Sequence, residues 1–267
     1  MADKGTTKKI TKVGGGETAA ATGATEKKTF VASDESKTKA KRLRLFAVIS
    51  WLVAIGFEIG AIFVLRKPPI STTWLIVLIV ADLIFAIIGS MLWKKSNRLD
   101  PASEKNKVKF FIQNQLGVII SMIAFLPLVI LIFTNKDMNG KQKGIVGGIA
   151  VIALLAAGIT SVDFNPPSVE QYTEQTARVE SLMGTNSVYW TKAGTRYHLY
   201  SDCRYINTNK TDEIFQGTVA KARELKNITV LCSVCEKRAD KEKALTDTET
   251  TKAAGKAIGG GRSAPGP

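Results

Sequence analysis

Four side chains able to hold a soft metal ion fall in one window near the C-terminus: His198, Cys203, Cys232 and Cys235. They are all of the cysteines and the single histidine of the 267-residue chain. The Cys232-Ser233-Val234-Cys235 turn can offer two thiolates to one ion while His198 and Cys203 close the other side, giving the tetrahedral N/S set that Zn²⁺ favours. Four protein ligands leave no position open for a catalytic water. The expected ion is therefore a structural Zn²⁺, and function is to be sought in the residues around it.

The elements that carry this window are of two kinds, because the apolar residues are not spread as in a soluble core. They are concentrated in four blocks, Leu45 to Leu65, Trp74 to Trp93, Phe110 to Phe133 and Ile145 to Val162. Each is long enough, at about 1.5 Å rise per residue, to cross a hydrocarbon layer of roughly 30 Å. The fold class read from the sequence is a membrane all-α, four-helix bundle over residues 43–163 with a small α+β zinc-binding domain behind it. The first block follows a long polar stretch with no short apolar core and cleavage site, so no cleaved signal peptide is expected.

Much of the net charge of +14 lies beside these blocks. Lys37, Lys39, Lys41, Arg42 and Arg44 precede the first, and Lys94, Lys95, Arg98, Lys105, Lys107 and Lys109 fill the second connection. Arg66 and Lys67 in the first connection, and Lys136, Lys141 and Lys143 in the third, are fewer. Cytoplasmic loops hold the excess of Lys and Arg, so the predicted arrangement is a multi-pass protein of the cell membrane with both termini cytoplasmic. Reduced thiols persist there, where closely spaced cysteines are more often metal ligands than disulfides.

Residues 1–42, rich in Thr, Ala, Gly and Lys, read as a disordered basic tail whose end could also touch anionic lipid. After the fourth span Pro166-Pro167 stops the helix, and Ser168 with Gln171 suits a capping box for a linker helix over 168–184, ending at Gly184. Residues 187–238 read as the zinc domain. Val188–Thr191 and Arg196–Leu199 are predicted as a hairpin through Gly194, Thr218–Lys226 as a helix, and Ile228–Leu231 as a strand delivering Cys232. Residues 239–267 return to a Lys, Thr and Gly composition and read as a second disordered tail.

The pattern Val188-Tyr189-x-Thr191-Lys192-x-Gly194-x-x-Tyr197-His198-x4-Cys203-Arg204-Tyr205-Ile206, followed by Ala220-x-Ala222 on a helix and Cys232-x2-Cys235, resembles the Ada-like metal-binding domains. These are appended to bacterial competence proteins, secreted nucleases and membrane proteins. The resemblance implies zinc on His198, Cys203, Cys232 and Cys235. It departs from the family in the residues around Asp212 to Gly217 and in Leu231, where the family has Pro.

Aromatic and basic side chains of this domain form a candidate recognition surface: Trp190, Arg196, Tyr200, Arg204 and Tyr205. Stacking faces beside phosphate-neutralising charges would suit single-stranded nucleic acid, and the alternative partner is a cytoplasmic protein. A second constellation lies within the membrane, where Glu58 and Asp82 interrupt the first two spans at matching depths, about 10 to 12 Å from their outer ends. In an antiparallel hairpin they could meet and share a proton, the beginning of a proton- or cation-linked transporter or channel. Gly56 and Gly60 form a GxxxG that could seat another span or a second copy of the chain. A third reading makes the cysteines a thiol or zinc sensor. No nucleotide loop, Ser/His/Asp grouping or HExxH occurs, and with His198 on zinc no free imidazole remains, so the chain is not expected to be an enzyme. The leading expectation is a membrane protein displaying a zinc-stapled recognition module.

Overall fold

The computed structural model describes residues 8–14 and 29–259. In chain order its elements are β1 (Lys9–Lys12), α1 (Asp34–Leu65), α2 (Thr72–Leu99), α3 (Lys107–Thr134), α4 (Gly140–Ser161), α5 (Val169–Met183), β2 (Val188–Thr191), β3 (Arg196–Tyr197), β4 (Glu213–Gly217), α6 (Val219–Lys226), β5 (Val230–Leu231) and α7 (Ser233–Gly259). They divide into two compact units, one of residues 29–171 and one that joins 172–267 to the N-terminal segment.

The first unit is the membrane bundle. Its helices α1 to α4 are each long and apolar enough to cross a bilayer, and only 33% of each apolar window is buried by the protein itself. Large apolar side chains such as Leu52, Ile123, Ile152 and Ile159 point outward instead, as lipid-facing residues do. The helix starts are written locally. Ser33 caps α1, accepting from the Ser36 N–H, ahead of Asp34 and Glu35 in the positive first turn. Asn106 caps α3, and Asn139 with Gln142 makes a full capping box on α4.

Helix α1 packs mainly on α2, α3 on α4, and α2 also on α4. Leu75, Ile79, Phe125, Leu128, Ile132 and Val146 fill the core. Without a hydrophobic drive between helices in lipid, close fit and polar contacts carry the packing. Ser161 donates to Ser90 at 2.8 Å and lies 3.0 Å from Ser121, tying α2, α3 and α4 together. Of the glycines of α4, Gly147 is the one in close contact: a Cβ there would fall 2.5 Å from the Phe133 ring, whereas nothing lies within 4 Å of the same position on Gly144, Gly148 or Gly158. Gly147→Val is therefore expected to cost about 1 to 3 kcal/mol by overpacking, and Gly148→Val almost nothing. Melting of the two variants in detergent checks this, with equal behaviour of the pair as the contrary result. The GxxxG is open at Gly56, and Gly60 meets only the Leu78 side chain at 3.7 Å.

Both expected tails are partly ordered. Helix α1 begins at Asp34, ahead of the predicted end of the basic tail at 42, because Ser33 and the first-turn acids start it there and Glu35 pairs with Lys39 one turn on. Residues 9–12 form β1. The remainder of that tail, 1–7 and 15–28, lies outside the described residues. At the other end α7 continues to Gly259 where disorder was expected from 239. Its first turns are anchored: Ala239 is buried, Arg178 pairs with Glu236 and Asp240, and Lys243 donates to the Ser181 carbonyl. Residues 260–267 lie outside the described residues.

The second unit is a small α+β module. Tyr172 and Val179 of α5 are buried, and Val179, Leu182 and Met183 belong to the core of Val188, Trp190, Tyr197, Leu199, Ile206, Ile214 and Ile228. The linker helix is thus part of the module's core from Tyr172 onward. A three-stranded sheet runs β1-β4-β2, with β2 antiparallel and β1 parallel to the central β4, and β3 pairs in parallel with β5. The predicted hairpin survives as one bridge, Tyr189 to His198, with both N–H···O bonds at 2.7 Å. Gly194 serves it by size, since a Cβ would sit 2.8 Å from the Thr191 hydroxyl. Gly184, at φ +70°, closes α5 as the sequence indicated.

Candidate metal centre

Each of the four ligands is placed by a local device. The parallel register Tyr197↔Leu231 sets the next residues of the two strands, His198 and Cys232, side by side. The Cys232 N–H donates to the Tyr197 carbonyl at 2.9 Å, which fixes that adjacency. Cys235 follows in the first turn of α7, held by the bond from the Glu236 N–H to the Cys232 carbonyl at 3.0 Å. Cys203 sits in the turn after β3, where its carbonyl accepts from the Ile206 and Asn207 N–H groups at 2.9 and 2.8 Å. Three separated segments therefore converge, and all four side chains are buried.

The donor atoms all lie within 4.8 Å of one another. Bonds of about 2.3 Å to sulfur and 2.0 to 2.1 Å to nitrogen make the S···N edge of a tetrahedron about 3.6 Å. The His198 Nδ1 to Cys235 Sγ distance is 3.6 Å. The Cys235 sulfur also accepts the backbone N–H groups of Leu199 and Tyr200, an arrangement that favours a thiolate. Against that, burial pushes the Cys235 thiol up to about 12 and the His198 imidazole down to about 4, the latter helped by Arg196. On protein surroundings alone the Cys235 thiol and the His198 imidazole are neutral, and a dication reverses this balance at Cys235 by supplying the missing charge. The residues fit a bound metal ion, and the four ligands close it off.

The candidate recognition surface divides. Trp190 is 1% exposed and stacks on Phe215 with ring centroids 6.3 Å apart, so it is a core residue and offers no stacking face. The reason is strand alternation, which buries Val188 and Trp190 on one face of β2 and turns Tyr189 and Thr191 the other way. Tyr200 is half-buried, its ring covered by the Arg238 guanidinium at 4.0 Å and its hydroxyl bound to Glu242 at 2.6 Å. Burial and that bond push its hydroxyl up to about 12. Arg238 is itself held by Asp202 and Glu242. Arg196 and Arg204 are exposed, as is Tyr205 at 59%, with Arg204 stacked 5.0 Å over its ring. Arg223, absent from the sequence expectation as a buried group, is fully buried and lies 5.0 Å over the Tyr172 ring.

Glu58 and Asp82 are both buried in the bundle, at 7% and 0% exposure. They do not form the expected shared hydrogen bond: both Asp82 oxygens are buried without a partner among the described residues.

No family model, curated protein or solved structure matches this chain.

Proposed function

We propose that the chain is a four-span protein of the cell membrane whose C-terminal module, an Ada-like fold stapled by a structural Zn²⁺, recognises a cytoplasmic protein. The closed, buried His198, Cys203, Cys232 and Cys235 cluster is the observation that carries this reading. A full ligand set on a module this small suits a staple, and it leaves the surface free to bind. The pairing of β1 with β4 supports a common side for both ends of the chain, as an even number of spans requires, and the Lys-rich second connection favours the cytoplasm for that side. A protein partner is favoured over nucleic acid because two of the expected stacking faces are taken, Trp190 by the core and Tyr200 by Arg238. Capture of one cytoplasmic protein by the full-length chain in detergent, lost with chelator and with Cys232→Ser, is the expected result. Capture that persists in both cases refutes the reading.

A second reading, proton- or cation-linked transport, is favoured by the unpartnered Asp82 carboxylate alone. A buried charge without partners is costly in a bundle, so such a group is either neutral or bound to something that moves. Under the recognition reading Asp82→Asn keeps fold and partner capture, because the amide has the same shape without the charge. Loss of a proton-linked flux in Asp82→Asn vesicles, with the fold intact, would move function into the membrane. Burial of all three cysteines gives the thiol-sensor reading no support.

A further inference from the structure

The N-terminal strand is attached to the module in an unusual way. Residues 9–12 pair with β4 in parallel, Lys9↔Glu213 through Lys12↔Gln216, and the Val13 N–H extends the ladder to the Gln216 carbonyl at 2.8 Å. Yet β1 buries none of its own residues: Lys9, Ile10 and Lys12 are exposed, and Ile10 keeps 46% of its surface. The core of the module is made by α5, β2, β3, β4, α6, α7 and the turns between them, and from the described N-terminal segment only Val13 packs against it. What holds β1 is backbone pairing plus a few polar contacts. The Lys8 ammonium donates to the carbonyls of Thr208 and, at 2.6 Å, of Thr211. The Thr11 hydroxyl donates to Glu213, whose carboxylate also lies 3.7 Å from the Lys9 ammonium.

A segment held by its main chain, with one lysine on a pair of carbonyls and only Val13 against the core, has the anatomy of a bound peptide on a sheet edge. Without it β4 would present an open row of N–H and C=O groups, the feature that templates pairing with another chain. The edge itself is shaped for a close backbone, since a Cβ on Gly217 would lie 2.8 Å from the Val13 carbonyl oxygen.

From these contacts we infer that the β4 edge is the peptide-binding edge of the module, with residues 8–14 as its resident, displaceable ligand. This deepens the recognition reading and rests on it. The partner it fits is an extended, basic segment that pairs in parallel, opens on a lysine for the Thr208 and Thr211 carbonyls, places a hydroxyl or ammonium on Glu213, and carries no acid opposite it. A tethered strand competes intramolecularly, at an effective concentration set by what links it, so a free segment binds well only when the resident one lets go.

Full-length protein in nanodiscs and a fluorescent peptide with the sequence of residues 8–14 provide the test. Val13→Pro removes the N–H that bonds Gln216 and changes no residue of the edge; deletion of residues 1–14 removes the strand. Both variants are expected to bind the peptide at least tenfold more tightly than the intact chain, Glu213→Lys added to either is expected to abolish the gain, and zinc content is expected to stay the same throughout. Equal peptide affinity in intact and deleted chains overturns the inference. So does loss of zinc or of the module's melting transition on deletion, which would make β1 a structural strand. So does peptide uptake that tracks dissociation of a dimer, which would mean the strand crosses between two copies. Zinc missing from the intact chain refutes the staple instead, and the peptide affinities still decide the edge.

Discussion

Cys232→Ser or Cys235→Ser is expected to strip the full-length protein of stoichiometric zinc and to abolish the cooperative melting of residues 187–238. The module is small, and because the fraction of surface buried falls with chain length, burial leaves it only marginal stability. Its core is real, with Trp190, Leu199, Ile206, Ile214 and Ile228 almost wholly enclosed, but three of the core members are the cysteines themselves. Zinc binding contributes on the order of 10 kcal/mol in comparable small domains, more than a typical single mutation removes. Chelation of the wild-type chain should reproduce the effect. Acidification should as well: the three thiols must lose their protons to bind, so apparent affinity falls as pH falls, with up to about three protons released per ion. The imidazole, held down at about 4 by burial, is already neutral above that value and adds no competition near neutrality. Metal analysis with hydrogen exchange over residues 187–238 reads both effects. Full protection after chelation would mean that the cluster is not a staple.

What the sequence made legible was whatever is encoded within one stretch of chain. The four spans follow from runs of apolar residues; α1, α3 and α4 begin ahead of those runs at the caps Ser33, Asn106 and Asn139, and α2 continues past Trp93 to Leu99. The ligand set was legible because soft ligands are rare and occur nowhere else in the chain. That they meet at one ion was legible too, but the means was not, because it depends on β3 pairing with β5 across more than thirty intervening residues. Strand β4 carries Ile214 and Phe215, but its neighbours in the sheet are β2 and β1, and the latter is about two hundred residues away. Lys-Ile-Thr-Lys, in a tail of Thr, Ala, Gly and Lys, gives almost no local signal for a strand whose stability comes from its partner's backbone. The α7 continuation was missed for the complementary reason: its Lys- and Thr-rich composition resembles a solvated tail until Arg178, Ser181 and Ala239 are seen to anchor it.

Trp190 shows how a residue type misleads when its strand face is ignored, and it carries the second large prediction. Trp190→Ala should destabilise the module by about 3 to 5 kcal/mol, the cost of removing a large aromatic from a core that cannot close over the gap. Its ring stacks on Phe215 and also lies against the backbone at Gly217, where a Cβ would meet it at 2.8 Å, so the truncation would loosen the sheet at β4 as well as empty the core. Tyr205→Ala, at an exposed ring stacked against its neighbour Arg204, should change stability by no more than about 0.5 kcal/mol. Thermal melts of zinc-loaded protein, read by hydrogen exchange within the module, separate the two. If Trp190→Ala instead weakened partner capture with melting unchanged, the indole would be a contact residue and its burial in the core would be wrong. If Tyr205→Ala weakened capture with melting unchanged, the exposed Arg204 and Tyr205 pair would belong to the recognised face, alongside the β4 edge and separate from the metal.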